Sequence, residues 1–536
     1  MKKIFLAINL CFALNSFAQI EKAPLEKIGE GPFNRLIIRG VTMIDGTGSP
    51  PTGPIDIVVE NNKIVQIKTV GYPGVAIIEE DRPKVGKNDK ILDATGKFLL
   101  PGFIDMHGHI GGKNQGTPAE YVFKLWMAHG ITTIREPFTG NGLEWTLDQK
   151  AKSEKNEITA PRIVPYVSFG LGAKEEITTV NQAISWVEDN AKKGAAGIKF
   201  FGAKPEIMEA ALKRNKELGL RSMCHHAQLN VAHWNVINSA EAGLTSMEHW
   251  YGLPEAMLEN GTVQNYPSDY VYSNEQNRFE EAGKLWKQAA KPYSEKWNAV
   301  MEKLLKLDFT LDPTFNIYEA NRDLMRTRTA EWHVDYTLPK LWQFYQPSRV
   351  SHGSYWLNWG TEQEIQWKEN YRLWMAFVNE YKNRGGRVTA GSDNGFIFQT
   401  YGFGYIRELE LLQEAGFHPL EVIRAATLKG AEALGMEKEI GSVEVGKKAD
   451  FVILDENPLQ NLKVLYGTGA IKVTENNEVV RVGGVKYTIK DGIIYDAKKL
   501  LAEVKNIVTE AKKKENFELF QPGTQPKAGK VSGAKN

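Results

Sequence analysis

The pattern that most constrains this chain is a recurrence of short apolar runs, each followed by a segment with helical spacing. The runs are Phe103-Ile104-Asp105, Thr132-Thr133-Ile134, Ile163-Val164-Pro165, Gly197-Ile198-Lys199-Phe200, Ser222-Met223-Cys224, Thr245-Ser246-Met247, Phe309-Thr310-Leu311 and Arg387-Val388-Thr389. Runs this short suit buried parallel strands, and eight of them with intervening helices are what a (β/α)8 barrel requires. Both flanks have a different texture. Residues 35–70 and 441–495 read as short strands punctuated by turn signals such as Asp45-Gly46 and Asn61-Asn62. The expected fold is therefore α/β: a (β/α)8 TIM barrel with a small β-sandwich domain built from both chain ends. The boundaries expected are 19–98 and 439–500 for the β-domain, 99–438 for the barrel, and 501–536 for a helix and disordered tail.

At 536 residues, 42% hydrophobic and 24% charged, the chain is long enough and mixed enough for such a globular assembly. A formal net charge of +1, with no basic stripe interleaved with aromatics, argues against a nucleic-acid partner. Residues 1–18 read as a signal peptide: Lys2 and Lys3, an apolar run from Ile4 to Leu14, and the small-residue site Ser16-Phe17-Ala18. Its removal leaves 64 basic against 65 acidic residues. It also removes Cys11, so Cys224 alone remains and neither an internal disulfide nor a thiolate zinc site can form. Asn9-Leu10 does not supply the small-residue box that lipid attachment at Cys11 would need. The expectation is a periplasmic or secreted protein without a membrane anchor; a homo-oligomer is compatible with it.

Two intervals are oversized, 252–305 after the sixth run and 318–383 after the seventh. Nine of the thirteen tryptophans fall between Trp250 and Trp374. Two readings stand: helical insertions that pack through their aromatics, and a lid over the barrel mouth, where active sites on this fold lie.

Chemistry-bearing residues sit at the ends of the candidate strands. His107 and His109 are two apart, so on a strand both imidazoles point to one face. Lys199 lies in an apolar strand, where a bare ammonium is expensive. Either it ends the strand and carries its charge to water, or it reacts with CO2 to form a carbamate able to bridge two metals. His225-His226, His249 and Asp393 complete the set, Asp393 in the small-residue segment Thr389-Ala390-Gly391-Ser392-Asp393. A carboxylate among histidines suits zinc and can accept a proton from bound water. His129, at an expected helix end where a cation suits the dipole, and His233, His333, His352 and His418 are read as structural.

The chain resembles the amidohydrolase superfamily, in particular its imidazolonepropionase-like and Xaa-dipeptidase-like members. The resemblance is carried by Leu99-Leu100-Pro101-Gly102-Phe103-Ile104-Asp105-Met106-His107-Gly108-His109, Gly130-Ile131-Thr132-Thr133-Ile134-Arg135, Met247-Glu248-His249, Ala390-Gly391-Ser392-Asp393 and the segment Gly441 to Asp450. It implies two zinc ions: His107 and His109 on the first, His226 and His249 on the second, and carboxylated Lys199 between them. Asp393 would bind metal and shuttle protons. His226 is chosen over His225 because Ala227 follows it, as Ala usually follows this ligand in the family. The implied reaction is hydrolysis of a C–N amide bond in a dipeptide-like, N-acyl amino acid or cyclic amide substrate by metal-activated hydroxide. Gln228 stands where related peptidases often place Tyr or His to polarise the carbonyl, so it is the expected catalytic donor; Arg135 and Gln228 are also candidates for orienting a substrate group. The alternatives are a mononuclear deaminase of the same superfamily, which would not need Lys199, and a non-catalytic binding protein on this scaffold.

Overall fold

The computed structural model describes residues 19–348 and 359–519. The expected signal peptide, residues 349–358 of the second insertion with His352, and the tail from 520 lie outside the described residues. Near the N-terminus β1 (Arg35–Met43), β2 (Thr52–Glu60) and β3 (Lys63–Thr69) form an antiparallel meander, and β4 (Lys90–Asp93) and β5 (Phe98–Pro101) lie parallel to β1.

Eight further strands follow: β6 (Phe103–Asp105), β7 (Ile131–Glu136), β8 (Arg162–Ser168), β9 (Gly197–Phe200), β10 (Arg221–Cys224), β11 (Ser246–Glu248), β12 (Thr310–Asp312) and β13 (Arg387–Val388). All eight coincide with the runs read from the sequence, and each pairs in parallel with the next. Just beyond the first and last strands, Met106 N donates to Ala390 O (3.0 Å) and Asp393 N to His107 O (2.9 Å), linking the two ends of the sheet. The result is a TIM-barrel-like core.

The chain then returns to the first sheet through β14 (Phe451–Leu454), a separate hairpin of β15 (Ala470–Val473) and β16 (Val479–Val482), and β17 (Val485–Lys490) with β18 (Ile493–Asp496). In that sheet the order is β18-β17-β14-β5-β1-β2-β3, with β4 also on β1. Both chain ends contribute, as expected. The strands nevertheless form one ladder and not two separately paired sheets, because β14 pairs with β17 on one side and β5 on the other. Alternation divides its faces: Phe451 and Ile453 enter a core with Ile38, Ile57 and Leu99, while Val452 and Leu454 join the barrel's outer core.

A buried ionic junction ties sheet to barrel. Arg162 of β8 pairs with Asp450 and Asp491, both at 2.8 Å. Gly102, between β5 and β6, must be glycine, since a Cβ there would stand 2.2 Å from Thr132 Oγ1.

The two oversized intervals are helical. The first holds Glu275–Ala282 and Glu295–Lys306; the second holds short helices and the long helix Thr361–Asn383. Trp286, Trp297, Trp367 and Trp374 are fully buried, with Trp250 among Trp286, Trp367 and Trp374 at ring separations of 6.0–6.5 Å. The core-packing reading is thus met. Among the described residues, no helix is long and apolar enough to cross a membrane.

Candidate metal centre at the barrel mouth

Side chains alternate along a strand, and each barrel strand divides cleanly. Ile134, Ile198, Phe200, Cys224, Met247 and Leu311 pack into the outer core. The intervening residues, among them Arg135, Lys199, Glu248 and Asp312, are buried on the other side. Continuing the same parity past the strand ends brings His107 and Asp393 to Lys199, while His249, on the opposite parity from Glu248, is turned towards them by its left-handed backbone (φ 60°).

His107 is fully buried. Its Nδ1 lies 2.8 Å from Glu248 Oε2, a carboxylate that only accepts, so Nδ1 carries the proton and Nε2 presents its lone pair. That Nε2 is 3.5 Å from Asp393 Oδ1 and 3.1 Å from Lys199 Nζ. His249 is oriented by the same logic. The Thr314 hydroxyl donates to Pro313 O, so its oxygen accepts from His249 Nδ1–H. His249 Nε2 then faces Asp393 Oδ2 at 3.6 Å, and His109 Nε2 lies 3.2 Å from Asp393 Oδ1.

Donor atoms of His107, His249 and Asp393 all lie within 4.8 Å of one another. Two imidazole lone pairs converging on a carboxylate suit a cation between them, and their chemistry fits zinc. Charge states agree. Burial holds His107 well below its ordinary pKa; for Asp393 burial pushes upward, but His107, His109 and His249 outweigh it and keep the carboxyl well below the usual range. Asp393 (φ 49°) and His249 (φ 60°) both occupy the left-handed region, a conformation costing about 1–3 kcal/mol and concentrated at functional sites. Gly391 is held to glycine by its neighbour: a Cβ there would lie 2.3 Å from Asp312 Oδ2.

Lys199 does not reach water. It is 3% exposed, its Nζ sits 5.0 Å from the Phe201 ring, and burial lowers its pKa. Strand β10 places the histidines differently from the family-based choice. His225 continues the inward parity of Met223, and its ring lies 4.8 Å from that of His249. His226 shares the outward parity of Cys224; its Nε2 is 2.9 Å from Ser239 Oγ on the helix Val236–Ala242, and burial lowers its pKa to about 3. Gln228 is buried, its Oε1 accepting from Arg278 Nε at 3.2 Å.

Arg135 is not available to a substrate. It is 1% exposed beneath the cluster, donating to Met106 O, Ser246 Oγ and Glu248 Oε1, with Asp312 Oδ2 at 3.4 Å. This layer was missed in the sequence. Glu248 fixes His107, Arg135 fixes Glu248, and Asp312 is held by Thr389. Asp105 accepts from the backbone N–H groups of His107 and Ser392, and burial raises its pKa to about 7. The available signal was polar residues at i and i+2 within apolar strands: Asp105 before His107, Ser246 before Glu248, Thr310 before Asp312. His129 also departs from expectation. Burial takes it to about 4, so it caps its helix as a neutral ring bonded to Leu125 O and not as a cation. His333 is structural, held between Thr327 O and Thr337.

Residues 374–494 match the amidohydrolase family. Among solved structures, a Xaa-Pro dipeptidase with bound methionine in its active site superposes with TM-score 0.57 at 18% identity, covering 86% of this chain and 100% of that one. Bottromycin amidohydrolase gives TM-score 0.59 at 16% identity over 91% and 92% of the two chains. The matched segment and the shared fold liken this chain to the amidohydrolases. Among curated relatives, a 5'-deoxyadenosine deaminase of Methanobrevibacter smithii is 22% identical across 83% of this chain and 89% of its own length. An imidazolonepropionase of Symbiobacterium thermophilum is 37% identical over 98 residues, 18% of this chain and 23% of the relative.

Proposed function

We propose that this chain is a metal-dependent amidohydrolase that cleaves the C–N bond of an amide, in a dipeptide-like, N-acyl amino acid or cyclic substrate, at a two-metal centre. The observation that carries the proposal is Lys199: a buried lysine whose Nζ is 3.1 Å from the ligating nitrogen of His107. A deaminase centre with one ion has no use for it. Carboxylated, Lys199 would supply an oxygen ligand to each of two ions. His107 and His109 would hold one, and His249 and His225 the other; His225 replaces His226 because it shares the cluster's face of the strand. Bound zinc would lower the pKa of water and polarise the scissile carbonyl.

The chain's own residues supply the rest. Asp393, kept ionised, accepts the proton of the attacking water and returns it to the leaving nitrogen. Gln228 has its Oε1 engaged by Arg278, so its Nε2 is the end left to donate to a substrate oxygen. Deamination is the second reading, favoured by the length of the match to the Methanobrevibacter relative. The test is a screen of zinc-loaded protein against dipeptides, N-acyl amino acids and lactams alongside adenine and 5'-deoxyadenosine. Amide cleavage without release of ammonia from the purines is expected. Purine deamination with no amide cleavage would overturn the proposal.

A further inference from the structure

The first insertion delivers a cation to the barrel mouth that hydrolysis itself does not require. Arg278, on the helix Glu275–Ala282, is 9% exposed; besides Gln228 it meets Glu275, 3.3 Å from Nη1, while Nη2 bonds no described residue. Its guanidinium lies 4.9 Å from the Tyr272 ring, which limits its swing. Beside it Gln228 Nε2 is buried and bonds no described residue, although Gln228 is only 3% exposed. Tyr251 is buried nearby, its hydroxyl shared with Tyr318 and its ring 5.4 Å from that of His225.

A buried donor left unpaired is unfavourable, and a guanidinium beside an amide N–H forms a set that an acceptor-rich anion satisfies. The nearby Glu255 does not fill that role. Its two oxygens already accept from Gly252 N and Gln264 Nε2, and burial raises its pKa to about 7.

We propose that Arg278 and Gln228 form a carboxylate subsite, so that the preferred amide carries a free carboxylate close to its scissile bond, as an N-acyl amino acid does. This rests on the hydrolase reading and narrows its substrate class. Arg278 is a specificity residue supplied by the insertion.

The test pairs hippurate, the free acid, with hippuramide, its neutral counterpart, on the zinc-loaded enzyme. Wild type is expected to favour hippurate in kcat/KM by about 100-fold, and Arg278→Met to bring that ratio near one, mainly through KM. Arg278→Lys, which keeps the charge but loses the fork, should leave an intermediate ratio of about 10-fold. Thermal stabilisation of wild type by each compound is read separately and needs neither turnover nor a folded variant. Selective stabilisation by hippurate supports the subsite even where no amide is cleaved, a result that would count against the hydrolase reading alone. Equal stabilisation by both compounds, or an unchanged ratio in folded Arg278→Met, overturns the subsite while leaving hydrolysis standing.

Discussion

At the scale of single residues, the centre depends on side chains that would touch no metal themselves. Glu248 sets the tautomer of His107 and is itself held by Arg135 and Ser246. Partners of this kind govern ligand orientation, so Glu248→Gln should weaken zinc binding by about 10–100-fold while the chain stays folded. Competition with a chromophoric chelator measures it; unchanged affinity would remove Glu248 from the account. The two adjacent histidines separate just as sharply. His225→Ala should abolish binding of one ion and turnover. His226→Ala should keep the metal content and lose about 2–4 kcal/mol of stability, the range for emptying a well-packed buried site. Metal analysis and denaturation of both variants decide between them. Family likeness favoured His226 through its following alanine, whereas period-two alternation from Cys224 puts His225 on the face that carries Met223. The supporting acids were harder to see, because one Asp or Glu in an apolar strand gives no sign of its partner from another strand.

Among the elements, the insertions combine a packed aromatic core with a rim that reaches the centre. Tyr318 stacks on Trp367 (5.5 Å) and its ring lies 5.4 Å from that of His249, so tryptophan packing and site geometry share one residue. Trp374→Ala should cost about 3–5 kcal/mol, measured by denaturant unfolding. Glu255 offers a pH-dependent check on the same region. An unfolded glutamate ionises near 4.5, but burial raises the folded group to about 7. The folded state therefore binds the extra proton between those values, and stability falls as pH rises through them. Glu255→Gln should match wild type near pH 4.5 and exceed it by about 3 kcal/mol at pH 8. A difference independent of pH would contradict this. The helical character of both intervals was legible from their length and aromatic content. Their contacts with Gln228 and His249 were not, since they depend on how each insertion folds back over the mouth.

For the whole molecule, the eight barrel strands could be read from apolar runs because each is a short buried segment followed by an amphipathic helix. Closure of the other sheet could not. The pairing of β14 with β5 joins residues some 350 positions apart in the chain, and no local pattern records it. The junction between the two units rests on Arg162 with Asp450 and Asp491. Removing one member of such a buried pair strands the others, so Arg162→Ala should cost about 3–5 kcal/mol in unfolding free energy. For the centre itself we propose a two-metal site bridged by carboxylated Lys199. Elemental analysis of the purified, zinc-reconstituted chain tests it most directly. The account predicts close to two ions per chain in wild type and a loss of at least one in Lys199→Ala; one ion or none in wild type would contradict it.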